Sequence, residues 1–166
     1  EQREMTNLEG TVDSVVYQNE ENGYTVLRLD VGEEEPVTVV GCIPCVAPGE
    51  SLSAQGGWTH HATYGQQFKA EVARRGMPTG EKAIFDYLAS GVVRGIGIST
   101  ARKMLDLFGE ETLAVLEHEP QRLTEIKGLT PKRAEAMGEA FRLQMGMRRL
   151  LDFLSAYDLP PQLGMP

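Results

Sequence analysis

The chain has 166 residues, 41% of them hydrophobic, with a formal charge of −8; this is enough to bury a real core in one domain or two small ones. Its longest apolar stretches fall far short of the roughly 20 residues that cross a bilayer, and the acidic start EQREMTNLEG has neither the basic nor the apolar region of a signal peptide, so neither a membrane partner nor export is expected. Two cysteines without a secretory context point to a reducing, cytoplasmic setting.

A strongly acidic chain is a poor match for a polyanion, because phosphate affinity comes largely from Lys and Arg. The charge is uneven, however. Residues 1–76 carry 12 acidic against 5 basic side chains, a net of −7, whereas residues 77–166 carry 12 against 11, a net of −1.

The first half reads as strands. TVDSVVYQ (11–18) and YTVLRLDV (24–31) are rich in β-branched and aromatic residues, and NEENG between them has turn chemistry. EEEP leads into VTVVGCI (37–43), APGE into SLSAQGGW (51–58), and QQFKAEVA (66–73) makes a fifth strand. Five short strands must close on themselves to hide their edges, and the smallest common solution is a five-stranded OB-like barrel, with an SH3-like barrel as its nearest rival.

After RRGMPTG (74–80) the period changes. Met77-Pro78 ends the strand pattern, Thr79 is placed to N-cap a helix carrying Ile84, Phe85 and Leu88 on one face, and Gly91 lies beyond its end. Ala101, Leu105 and Phe108 form a stripe before Gly109, and Leu113 and Leu116 another before Pro120. Thr130 caps a further helix, with Pro131 at its first position and Ala134, Met137 and Phe141 along it. The expected organisation is two domains, an all-β barrel over 1–77 and an all-α tandem helix-hairpin-helix domain over 78–166.

The tandem rests on a repeat. GIGISTA (95–101), GLTPKRA (128–134) and DLPPQLG (158–164) each place a small residue six positions after a small or turn-forming one, with starts 33 and 30 residues apart. In the first, Gly95 and Gly97 are free to take positive φ and let a phosphate approach the main chain, while the following helix start offers unpaired N–H groups and the positive end of its dipole. Ile96 is expected to lock the turn onto the core, and Ala101 to let two helices approach. A DNA backbone is the natural ligand, read without regard to base identity. The candidate contacts are Arg94, Gly95, Gly97, Ser99, Thr100, Arg102 and Lys103, with Lys127, Gly128, Lys132 and Arg133 at the second turn. In the second, Thr130 replaces the second glycine; the third is cut short by the end of the sequence. The plainer alternative is that these turns only connect helices.

Other chemistry has less support. No strand precedes the Gly-x-Gly and no third glycine stands at the dinucleotide-binding offset, and there is no Gly-x-x-x-x-Gly-Lys-Ser/Thr for ATP. Cys42-x-x-Cys45 has redox or zinc spacing without a second pair, and the adjacent His60 and His61 would face opposite sides of a strand. No catalytic residue and no metal ligand set is expected. Tyr17, Tyr24, Trp58, Tyr64 and Phe68 could stack on bases, but the acidic barrel has only Arg28, Lys69, Arg74 and Arg75 as basic support, so most of these rings are expected in the core or in protein contacts.

The stretches LEGTVDSVVYQNEENGYTVLRLD (8–30), GGWTHHATYGQQFKAE (56–71) and AIFDYLASGVVRGIGISTARKMLDLFGEETLAVLEHEPQRLTEIKGLTPKRAE (83–135) resemble the N-terminal region of stand-alone RecD-like DNA helicases, relatives of the exodeoxyribonuclease V alpha subunit. The resemblance implies an accessory DNA-binding module of a bacterial 5′ to 3′ helicase acting in repair or recombination. Its motor domains, with their ATP and Mg, would lie elsewhere in the same polypeptide, and the chain given has no cofactor of its own. It further implies a monovalent cation at the first turn, as in some relatives; single-strand-binding protein or the motor domains are the partners expected if the acidic barrel docks protein instead. The family turn usually reads Gly-Ile-Gly-Pro-Lys-Thr-Ala; here Ile98 and Ser99 stand for Pro and Lys, which removes one phosphate-contacting charge. Two other readings remain beside it: a Holliday-junction protein of the RuvA kind, which also joins an OB barrel to tandem hairpins, and a protein-docking module with no DNA affinity.

Overall fold

The architecture starts from a strand that serves two neighbours. In a computed structural model, which describes residues 5–156, β1 (Thr6–Gln18) pairs through Thr11–Gln18 with β2 (Tyr24–Asp30) and through Thr6–Thr11 with β4 (Ser51–His61), both antiparallel. The change of partner comes at Thr11, and at the adjoining Gly10 a Cβ would lie 2.2 Å from the Asp30 carbonyl oxygen. Only glycine allows this approach.

β2 continues to β3 (Val37–Cys42), β3 runs parallel to β5 (Gly65–Gly76), and β5 pairs with β4, which closes the barrel in the order β1-β2-β3-β5-β4. Closure hides most of the strand edges. The alternating strand residues Val12, Leu27, Leu29, Val39, Leu52, Ala54 and Phe68 fill the interior, with Ile43 and Val46 from the loop after β3. The β1–β2 turn is built as its composition predicts: Asn19 Oδ1 accepts from Glu21 N at 2.8 Å, Asn22 Oδ1 from Tyr24 N at 2.9 Å, and Gly23 takes φ 77°.

Between β3 and β4 the chain crosses the barrel with its polar groups tied down. Glu50, 1% exposed, accepts from Ala47 N at 3.0 Å and faces Arg75 Nε at 3.8 Å, while Arg75 Nη1 also donates to the Pro44 carbonyl. Arg75 is therefore a structural cation. Such a pair, once desolvated, is costly to break from either side.

The helical segment Pro78–Leu150 forms a unit of its own. It comprises α1 (Glu81–Ala89), α2 (Ile98–Phe108), α3 (Thr112–His118) and most of α4 (Pro131–Ala156), with 3₁₀ turns at Gly109–Glu111 and Pro120–Glu125. Its core gathers Ile84, Tyr87 and Leu88 with Ala101, Met104, Leu105 and Phe108, then Leu116, Leu123, Ala134, Met137 and Phe141. Phe85, expected on the buried face of α1, is only half-buried. The N-cap of α1 is Gly80 rather than Thr79, at φ 85° and without a side-chain cap.

The expected all-α tandem helix-hairpin-helix domain is absent among the described residues. The chain is a closed OB-like barrel with helices after it, and those helices do not form a regular series of paired units. The turn near 128 is entered from a seven-residue helix and a 3₁₀ segment, and is left by one helix of 26 residues running from Pro131 to Ala156. The reason is local: a repeated turn sequence dictates backbone torsions at the turn, not the helices on either side, and Pro120, lacking an N–H, fixes the start of the 3₁₀ segment beyond α3. The third expected turn, at 158–164, lies outside the described residues.

Replacing Gly10 by alanine forces a Cβ against the Asp30 backbone. Thermal or denaturant unfolding should show a loss of about 1–3 kcal/mol, the range for overpacking a well-packed site.

Candidate nucleic-acid interface

The turn before α2 is anchored on both sides. Val93 and Ile96 are buried at 1% and 3% exposure, and Ile96 N donates to Val93 O at 3.2 Å, so the exposed Arg94 and Gly95 are held out at a tight turn. Gly95 has φ 95°, at the position where a type II turn needs glycine. Gly97 differs from the expectation. Its φ of −105° and ψ of −172° are extended backbone open to any residue, and a Cβ there would meet nothing within 4 Å. Only one of the two glycines is required by torsion; the other leaves open space at the helix start.

Gly97 is the N-cap of α2, and its carbonyl accepts from Ala101 N at 2.9 Å. Ala101 is fully buried, as the close approach of helices requires. The amides of Ile98, Ser99 and Thr100 precede the first intrahelical bond, and no side chain caps them. Ser99 and the 68%-exposed Ile98 flank this group. The segment 94–103 contains no acidic residue.

The turn before α4 has the same backbone design and a different finish. Gly128 also has φ 95°, and Leu129 N donates to Ile126 O at 3.1 Å. Here, however, Thr130 Oγ1 accepts from Arg133 N at 3.2 Å, and Arg133 Nη1 reaches back to Gly128 O at 3.4 Å. The helix start is capped by its own residues. Pro131 occupies the first position of α4, and Lys132 is exposed beside it.

The basic side chains sort by what they touch. Arg102 lies with its guanidinium 4.2 Å from the centroid of the Phe85 ring, a cation–π contact that holds it against α1. Arg94 is exposed. Lys103 and Lys127 come together, lining one shallow depression with Asp106, Leu107 and Ile126. The sequence hid that pairing, because the two lysines lie 24 positions apart, one in α2 and one after the second 3₁₀ turn.

In the barrel, Phe68 is fully buried, whereas Tyr17, Tyr24, Trp58 and Tyr64 are 42–75% exposed, so of these rings only Phe68 packs in the core. Arg28, Lys69 and Arg74 are exposed; Arg75 is committed to Glu50. Cys42 and Cys45 are free and exposed thiols. His61 Nδ1 accepts from Thr63 N at 3.0 Å and Tyr64 N at 3.1 Å, so it shapes the β4–β5 turn. Among the described residues no three His, Cys, Asp or Glu side chains converge, and no helix is long and apolar enough to cross a membrane.

Strand order and closure define the class as an OB-fold barrel with an appended helical segment. Residues 5–78 match the family model of the OB-fold domain of the ATP-dependent DNA helicase YrrC. The chain is also 28% identical over 159 residues to the ATP-dependent RecD2 DNA helicase of Deinococcus radiodurans, a match covering 92% of this chain and 22% of that protein. A crystal structure of the S. pombe Stn1-Ten1 complex shows a more distant likeness, 15% identical with a TM-score of 0.36 over 43% of this chain and 57% of the other. The likenesses to the two helicases support the resemblance drawn from the sequence: the chain is similar to the N-terminal OB region of a RecD-like helicase, and spans about a fifth of the length of the relative it matches.

The two glycines of the first turn should respond differently to alanine. Gly95→Ala should lower the unfolding free energy by about 1–2 kcal/mol, the cost of a left-handed residue, while Gly97→Ala should leave it within about 0.5 kcal/mol. Parallel denaturant melts of the two variants check this.

Proposed function

We propose that this chain is the accessory DNA-binding module of a RecD-like helicase and that it holds the DNA backbone without reading sequence. The observation that carries the reading is the uncapped start of α2, where three amides stand beside the open Cβ side of Gly97 in an acid-free segment. Helix starts of this kind favour phosphate through the N–H groups and the helix dipole. Arg94, Ser99 and Thr100 border these amides, and Lys103 and Lys127 add a second basic point of attachment. Gly128, Lys132 and Arg133 offer less, because Thr130 already satisfies the start of α4.

On this reading the motor domains belong to the same polypeptide, use ATP and Mg, and do the unwinding in the 5′ to 3′ direction. The acidic barrel supports a second role, contact with protein partners such as single-strand-binding protein, since a net charge of −7 over residues 1–76 repels a polyanion at long range.

Salt and one substitution test the backbone reading. Binding of a fluorescein-labelled DNA to the chain, followed by anisotropy, should weaken steeply between about 50 and 200 mM salt. Gly97→Glu adds a carboxylate in front of the amides at a torsion that glutamate tolerates, so it should reduce affinity at least tenfold with an unchanged melting temperature. Unchanged affinity in Gly97→Glu would remove the α2 start from the interface, and no binding at low salt would favour the docking role.

A further inference from the structure

Beyond the barrel wall, β4 and β5 continue as a paired arm, with Trp58 opposite Phe68 and pairing kept up to His61 and Gly65. This arm differs from the rest of its unit. The barrel's acidic residues crowd the β1–β2 and β2–β3 turns at Glu20, Glu21 and Glu33–Glu35, whereas residues 51–70, spanning the whole arm, contain none. The one exposed tryptophan of the chain stands here, 45% accessible, with its ring held edge-on to Phe68 at a centroid distance of 5.2 Å and an interplanar angle of 83°. Because Phe68 is immobilised in the core, Trp58 is fixed in orientation before any ligand arrives.

Trp58 also lines a concave site. A depression at the root of the arm is bounded by Met5, Gly56, Gly57, Thr59, Lys69 and Glu71 together with Trp58. Gly57 contributes no Cβ, and one placed there would point into open space, so a flat ligand meets backbone with nothing in the way. A pre-oriented indole, a glycine floor, one lysine and one carboxylate match the parts of a single nucleotide: the ring stacks on the base, the ammonium meets a phosphate, and the carboxylate accepts from an exocyclic amino group. A base inside duplex DNA cannot reach such a depression, since both its faces are already stacked.

We infer that the Trp58 depression of the β4–β5 arm takes an unpaired base of single-stranded DNA, and so distinguishes single-stranded from duplex DNA. DNA as the nucleic acid rests on the function proposed above; the site itself is separate from the start of α2, which contacts backbone of either form.

Trp58 is the chain's only tryptophan, so its own emission reports the site. The chain is titrated with a single-stranded 20-mer of mixed sequence and with the blunt duplex of the same length, reading tryptophan fluorescence and, with labelled DNA, anisotropy. The expected result is quenching by the single strand only, at least fivefold tighter binding of the single strand, and loss of that preference in Trp58→Ala with duplex affinity retained. Trp58→Phe, which keeps a stacking ring and the Phe68 contact, should restore most of the preference if alanine harms folding. Gly97→Glu should weaken both DNAs while leaving the quenching at saturation, so failure of the backbone reading and failure of this one give different patterns. Binding of the single strand without any change in Trp58 emission, equal affinity for the two forms, or no binding of single-stranded DNA at all would overturn the inference.

Discussion

The barrel depends on β1 changing partners at Thr11, beside Gly10. A strand that pairs with β2 along one half and β4 along the other must bend sharply, and the bend brings its backbone against the Asp30 carbonyl, where no side chain fits. The rest of the barrel is a consequence of that bend. It allows five short strands to close, and the enclosed space is filled by Val, Leu, Ile, Ala and Phe side chains. The crossing loop between β3 and β4 is held over the barrel by Glu50 and Arg75, which removes Arg75 from the small stock of basic groups available to a ligand. Among the described residues of the barrel, those that remain exposed and basic are Arg28, Lys69 and Arg74.

Those same forces decided what could be read in the sequence. All five strands were legible at their cores, because β-branched and aromatic residues bounded by turn chemistry suit a pleated, half-buried surface. Strand ends were not. β4 runs on to His61 and β5 begins at Gly65, in a stretch where both faces meet solvent, so THHATYGQQ carries no alternation to betray pairing. Likewise the apolar stripes of α1, α2 and α4 were visible, yet Tyr87 and Met104, both fully buried, were missed because they widen stripes already explained by their neighbours. The expected tandem of helix pairs failed for a related reason. Glycine and aliphatic positions six or seven residues long encode a turn, and both turns indeed have Gly at φ 95°; the lengths of flanking helices are set by residues the repeat does not include.

The two turns, alike in backbone, are separated by a single hydroxyl. Thr130 caps α4 and Gly97 cannot cap α2, so the same torsions yield one closed helix start and one open one. Net charge is a poor guide to such a feature. At about 0.1 M salt a charge is screened beyond roughly 10 Å, so what a phosphate senses on contact is the acid-free segment 94–103 and not the sum over 166 residues.

Ile98 and Ser99 show how far backbone alone can carry binding. Ile98 at the first turn of α2 is exposed and adds no attraction of its own for a phosphate. Without a lysine at 99, the start of α2 offers hydrogen-bond donors and a dipole, worth about 0.3–1 kcal/mol per charge in an exposed setting. A site that weak works only as one of several. On the proposed reading, Lys103 and Lys127, which line one depression, supply a second contact, and tethering to a larger DNA-bound polypeptide would raise the local concentration of DNA enough for modest contacts to act together. On the same proposed reading, a module built this way gains occupancy from its attachment and releases quickly.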